Sequence, residues 1–208
     1  VRTRLFVLAV AQDGAEVQTG YSAPGKSVGL ELFDLYPPKA VGEKAARQAL
    51  TNLKARPAPA GTFPVVVGPG FGGVLFHEAV GHLLETTSVA RKASVLADKL
   101  GEVVASPAVT YIDDGTLPHA WGSTEMDDEG RPTERTVLIE KGVLKSYMVD
   151  RLGHLLTGYP MTGSGRRQDY TFAPTSRMRN TFLAPGEARV EDLFAGIAFG
   201  LYAKEMGG

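Results

Sequence analysis

The stretch Phe63 to Glu85, FPVVVGPGFGGVLFHEAVGHLLE, limits what this chain can become more than any other. A β-branched run, Val65 to Val67, passes through a glycine-rich turn into an apolar segment carrying two histidines and two glutamates. That order predicts a strand, a tight turn and a helix. The chemistry falls on the helix as His77, Glu78 and His82, an H-E-x-x-x-H arrangement.

Two imidazoles with a carboxylate beside the first suit a zinc hydrolase, because neutral imidazole ligates zinc and a neighbouring glutamate can serve as general base. In the usual H-E-x-x-H the histidines stand four apart and share a helix face. Five residues on a regular α-helix carry the second side chain about 140° round from the first, too far to grip one ion. A π-bulge, one inserted residue with an i→i+5 bond, would bring them back over each other. Gly81 is the residue type that eases such a distortion. The rival reading is an amphipathic helix in which Glu78 and His82 pair at i, i+4. Against it, two of the chain's four histidines flank a glutamate inside an otherwise apolar segment, where unpaired polar groups are costly. Glu85, one turn beyond His82, is the nearby carboxylate that can either stand behind the ligands or substitute for a third.

The same stretch spells G-x-G-x-x-G with Gly68, Gly70 and Gly73, between a strand and a helix. That is the setting of the dinucleotide fingerprint. However, Pro69 follows the first glycine, and no clear strand ends in an acidic residue about 20 positions on. A nucleotide-binding protein is therefore the weaker alternative, and a binding or partner module with structural histidines is the stronger one.

The 208 residues suffice for one substantial core or two small ones. With 22 basic and 23 acidic side chains the net charge is −1, which gives no support for a nucleic-acid binder. No apolar run approaches the roughly 20 residues that cross a membrane, so no membrane role is expected. The start, VRTRLFVLAVAQDG, flows into strand-like alternation rather than a leader pattern. The absence of cysteine excludes a disulfide framework and points to the cytoplasm.

Taken in order, Arg4 to Gln12 and Glu16 to Ser22 read as strands around the hairpin signal Asp13-Gly14, with Ser27 to Phe33 as a third. Ala40 to Ala55 reads as a helix with Val41, Ala45, Ala49, Leu50 and Leu53 on one stripe. Arg56 to Gly61 is the best linker. The expected division is residues 1–56, the end of an N-terminal α+β region of hairpin plus helix, and residues 57–208, the domain that carries the histidine motif. Thr86 to Leu100 has no clean period and reads as a short helix or an ordered loop. Ala108 to Ile112 reads as a strand ended by Asp113-Asp114-Gly115, with both aspartates as turn formers. Asp127-Asp128-Glu129-Gly130 is a second acidic turn that lacks the alternating ligand pattern of a calcium loop. Thr136 to Asp150 is a hairpin around Lys141-Gly142. In Gly163-Ser164-Gly165-Arg166-Arg167, adjacent arginines on a mobile glycine loop are placed either to clamp a carboxylate or peptide terminus, or to form a solvated basic turn. His119 and His154 stand alone as surface or packing residues. Val190 to Phe199 reads as a last helix with Leu193, Phe194 and Ile197 inward. The fold class is α+β: antiparallel hairpins with a few helices, the metal-site helix following a strand and glycine-rich turn.

GVLFHEAVGHLLE, DDGTLP, MDDEGRPTERTVLIEKGVLKSYM, TGSGRRQDY and MRNTF, in that order, resemble the TldD side of the TldD/PmbA family, once labelled modulators of DNA gyrase. The likeness covers about Pro64 to Gly207, and is looser over the first 60 residues. It implies a cytoplasmic zinc metallopeptidase acting on unfolded or extended peptides, with His77 and His82 as ligands and Glu78 as base. It implies a third ligand, a cysteine, in a further C-terminal β-rich region. This chain has no cysteine, so the expectation is an excised middle portion that holds zinc weakly and is inactive by itself. It also implies an oligomer, either with a PmbA/TldE-like subunit, which lacks the histidine motif, or with a second copy.

Overall fold

A computed structural model describes residues 1–205 of the chain. They form two compact units: residues 1–63 with 119–121, and residues 64–118 with the remainder from 122 onward.

In the first unit β1 (Thr3–Arg4), β2 (Val7–Asp13), β3 (Glu16–Ser22) and β4 (Gly25–Lys26) are followed by α1 (Leu32–Leu35) and α2 (Pro38–Leu53). β2 and β3 pair in register from Val7↔Ser22 to Asp13↔Glu16, and Gly14 at φ +58° supplies the left-handed backbone of the turn. α2 lays Val41, Ala45 and Ala49 inward. Its small residues let it approach so closely that a Cβ on Gly20 would overlap Ala45 O and Ala49 N. The strand expected over Ser27 to Phe33 does not form. β1 pairs with Gly25–Lys26 just ahead of it, and the chain then turns into the single helical turn that buries Leu32.

The second unit contains β5 (Val65–Val67), α3 (Val74–Ala79), α4 (Thr86–Val89), β6 (Tyr111–Asp114), β7 (Arg135–Glu140) and β8 (Val143–Leu144). These are followed by α5 (Arg151–Thr157), β9 (Gly165–Arg166), β10 (Thr175–Ser176), β11 (Thr181–Leu183) and β12 (Leu201–Ala203). An antiparallel sheet of order β11-β6-β7-β8 carries the core of Leu84, Tyr111, Leu138, Leu144, Tyr147 and Met178. β9 pairs with β10, and β12 runs parallel to β5. The architecture is α+β, with antiparallel sheets and few helices.

Three local expectations are corrected. Asp113 and Asp114 do not end the strand but lie within β6 and are buried. Asp113 Oδ1 accepts from Arg179 N at 2.7 Å, whereas Asp114 does make a turn, accepting from Thr116 N at 2.8 Å. The second limb of the Thr136 to Asp150 hairpin leaves the sheet after Leu144, and its continuation grips the end of the Gly81–Leu84 turn instead. Met148 N donates to Leu84 O at 2.9 Å and Thr86 N to Met148 O at 3.0 Å. Only Val190–Leu193 of the last expected helix is helical, and as a 3₁₀ turn. Gly196 at φ +78° ends any continuation, and Leu193 and Phe194 are exposed.

The histidine segment is not one helix with a π-bulge. A 3₁₀ turn at Gly70–Gly73 leads into α3, which ends at Ala79, and a second 3₁₀ turn runs over Gly81–Leu84. Between them Val80 sits at φ −129°, ψ −44°, so the axis breaks instead of bulging. Gly81 permits this by close approach. It is buried, and a Cβ there would overlap Met178 Sδ and press on Tyr111 Oη at 3.1 Å. The glycines ahead of α3 are used similarly. A Cβ on Gly68 would meet Lys204 O at 2.5 Å, and one on Gly72 would meet Val67 Cγ1 at 2.7 Å.

Burial raises the Asp113 carboxyl to about 7, against the hydrogen bond and charge of Arg179. The folded state then keeps a proton that the unfolded chain has released, so this group's contribution to stability falls as pH rises from about 4 through 7. Asp113→Asn removes the slope, and urea unfolding should show the variant gaining about 2–3 kcal/mol on the wild type between pH 5 and pH 8. A pH-independent difference would contradict it. Gly81→Ala should cost about 1–3 kcal/mol by overpacking against Met178. A double-mutant cycle should show a smaller cost in a Met178→Ala background.

Candidate metal centre

The break at Val80 does what a regular helix cannot. His77 closes the last turn of α3 and His82 opens the following 3₁₀ turn, bringing their rings to 4.9 Å between centroids at an interplanar angle of 89°. One ligand atom from each of His77, Glu78 and His82 lies within 4.8 Å of the others. Donors sharing a zinc at about 2.0–2.2 Å stand roughly 3–4 Å apart, so the cluster is close to a ligating arrangement. His82 presents Nε2 to Glu78 Oε2 at 3.7 Å. Burial, then the charge of His82, lowers the His77 pKa below its ordinary value, while Glu78 and Glu85 oppose the shift. The shift favours the neutral imidazole, the form that binds metal.

Glu85 is not beside Glu78 but behind His82. It is 2 % exposed, with Oε1 3.2 Å from His82 Nδ1 and Oε2 accepting from Arg177 Nη1 at 2.8 Å. Oε1 has no aligned hydrogen-bond donor in this arrangement. His82 Nδ1 is the nearest group that could donate to it, and a proton there would leave Nε2 for a metal. The donor set therefore fits zinc: two imidazoles, an adjacent carboxylate and a buried carboxylate behind one ring. Arg177 was missed in the sequence. The available signal was a basic residue on either side of Met178, which is buried.

Gly163, Gly165, Arg166 and Arg167 form a held segment, not a mobile loop. Gly163 and Gly165 are buried and β9 is paired with β10. Arg179 Nη2 donates to Gly165 O at 2.8 Å. The acidic turn supplies the rest. Asp127 Oδ2 accepts from Gly165 N at 3.0 Å, and Asp128 Oδ2 from Arg167 N at 2.9 Å. Asp127 Oδ1 accepts from Glu129 N and Arg131 N, both at 2.9 Å. Glu129 Oε2 accepts from Arg151 N at the start of α5 at 2.8 Å. Backbone amides thus take up these carboxylates, as a turn requires. His154 Nδ1 lies 2.7 Å from Tyr159 O on α5, and His119 adopts φ +59° in the first unit; neither belongs to the cluster. A separate cleft of about 420 Å³ beside Glu129, Arg151 and His154 contains neither motif histidine.

Residues 60–208 match the family model of the PmbA/TldA metallopeptidase C-terminal domain, and residues 1–53 match that of the central domain. The chain is 41% identical over 213 residues to a metalloprotease TldD homolog of Haemophilus influenzae, covering 99% of this chain and 44% of that protein. It is 31% identical to a zinc metalloprotease TldD homolog of Saccharolobus solfataricus, covering 95% of this chain and 44% of the relative. Among solved structures, one described as a modulator of a DNA gyrase from Thermotoga maritima superposes with a TM-score of 0.77 at 28% identity, over 95% of this chain and 44% of the other. TldE from Thermococcus kodakarensis shares the fold with a TM-score of 0.76 at 24% identity, over 96% of this chain and 45% of the other. The chain thus spans less than half the length of these relatives. A domain model running from residue 60 to 208, with its companion ahead of it, places the sequence: the chain belongs to the PmbA/TldD metallopeptidase family.

Proposed function

We propose that this chain carries the motif half of a zinc-dependent peptidase that cleaves extended or unfolded peptides. The observation carrying the proposal is that the break at Val80 gathers His77, Glu78 and His82 at one point. His77 and His82 would hold the zinc, which when bound supplies Lewis-acid polarisation of the scissile carbonyl and acidifies water. Glu78, with a side chain 65% exposed beside both imidazoles, takes the proton of the attacking water and returns it to the leaving amine. Glu85, itself held by Arg177, orients the His82 ring and so fixes the tautomer of the ligand. The third ligand is the cysteine that the family resemblance implies, outside these 208 residues. Residues 57–208 form the metalloprotease part and residues 1–56 the end of the region before it.

Arg166 and Arg167, on the segment anchored by Gly163 and Gly165, contact substrate. Peptide binds extended, along a strand edge, where backbone rather than side chains gives affinity. A cytoplasmic setting and a PmbA/TldE-like partner or a second copy complete the reading. Support for a partner comes from the apolar residues left exposed on the β2 side of the first hairpin, Phe6, Leu8 and Val10. No helix among the described residues is long and apolar enough to cross a membrane.

Glu78→Gln in the full-length protein should lower peptide hydrolysis by about 10²–10⁴-fold while zinc content stays at the wild-type level. Wild-type turnover by the zinc-loaded variant would remove Glu78 as the base. Glu85→Gln should weaken zinc by roughly 10–100-fold in chelator competition without abolishing it. One tightly held zinc on residues 1–208 alone, lost on Glu85→Ala, would instead make Glu85 the third ligand.

A further inference from the structure

Between β9 and β10 the chain runs out and returns, and a cleft of about 330 Å³ opens there, lined by Arg166, Arg167, Gln168, Phe172, Thr175 and Arg177. Three guanidiniums face this space and no carboxylate lines it. Two are fixed at one edge only. Arg166 Nη1 donates to Met178 O at 3.1 Å and Arg177 Nη1 to Glu85 Oε2 at 2.8 Å. Arg167 is pinned by its backbone N–H on Asp128, while its exposed guanidinium makes no hydrogen bond or ion pair among the described residues. Glu85 balances the charge of Arg177, but no carboxylate is paired with Arg166 or Arg167 among the described residues, so the cleft keeps an excess of positive charge that favours an anion in it. Planar forks match a carboxylate bidentately, and Phe172, half exposed, adds an apolar wall.

The cleft is wired to the histidines. Arg177 holds Glu85, which stands 3.2 Å from His82 Nδ1, and the charge of Arg166 reaches His77. Its volume lies at the lower end of the roughly 300–1,000 Å³ of small-ligand sites, which suits one end or one side chain of a peptide.

We propose that the Arg166–Arg167–Arg177 cleft binds a peptide carboxylate, contributed by a free C-terminus or an acidic side chain, and so holds one end of the substrate beside the metal centre. This rests on the peptidase reading for its ligand class. The test is therefore made by binding alone, on metal-free full-length protein, so that absent hydrolysis leaves it intact and its own failure leaves the catalytic reading standing. Calorimetric titrations compare N-acetyl-tetraalanine with a free carboxylate, its C-terminal amide, and an N-acetyl-Ala-Ala-Glu-Ala amide. The free acid, the glutamyl amide or both should bind at least about tenfold tighter than the plain amide. Whichever of the two binds tightly identifies the source of the carboxylate. Arg167→Gln, at an exposed side chain whose backbone anchor remains, should abolish the difference, and Arg166→Gln should reduce it. Equal affinity for all three peptides, no binding at millimolar concentration, or a difference that survives both substitutions would overturn the proposal.

Discussion

A carboxylate that is 2 % exposed must find partners, and Glu85 finds one three residues away and the other 92 residues away in the chain. One oxygen faces His82, on its own turn, and the other takes the guanidinium of Arg177. Removing Arg177, itself partly exposed, leaves the buried carboxylate without its cationic partner and is destabilising. The backbone on either side of Glu85 is equally constrained, since Leu84 and Thr86 both hydrogen-bond Met148. The position of the second histidine is thus a consequence of the core around Tyr147–Val149 more than of helical propensity.

The same logic extends outward. Thr86 Oγ1 donates to Asp150 Oδ1 at 2.9 Å, and Asp150 in turn caps α5 by accepting from Gly153 N at 3.0 Å. Thr87 Oγ1 contacts Ser176 Oγ at 2.9 Å, tying α4 to β10 and so to the arginine-bearing hairpin. Buried hydroxyls and carboxylates that satisfy one another in this way make a network whose members are hard to change singly.

The histidine motif, the strand before it, the first hairpin and α2 were all legible, because each rests on a local signal: β-branched runs, a helical stripe, or Gly14 in a turn. The form of the helix distortion was not. Five-residue spacing shows that a regular helix fails, but whether it bulges or breaks depends on what presses on Gly81, and Met178 lies nearly a hundred positions away. Asp113 and Asp114 misled for a related reason. Asp-Asp-Gly is a turn signal in isolation, and the hydrogen bonds that draw both residues into β6, from Arg179 N and to Asn180 O, are long-range. The last helix failed because its apolar spacing is the same whether the side chains find a core or stay exposed, as Leu193 does.

The parallel pairing of Val65–Val67 with Leu201–Ala203 sets an order of events during synthesis. The strand that leads into the glycine turn meets that partner only after the ribosome has added the residues between them. At about 5–20 residues per second this separation is worth roughly 7–27 s. For most of that interval the motif histidines are already made, but the β5–β12 pair beside Gly68 cannot form, and Met178 arrives to hold Gly81 only towards its end. A nascent chain therefore carries the residues of the centre long before it carries their geometry, so the centre matures late in synthesis.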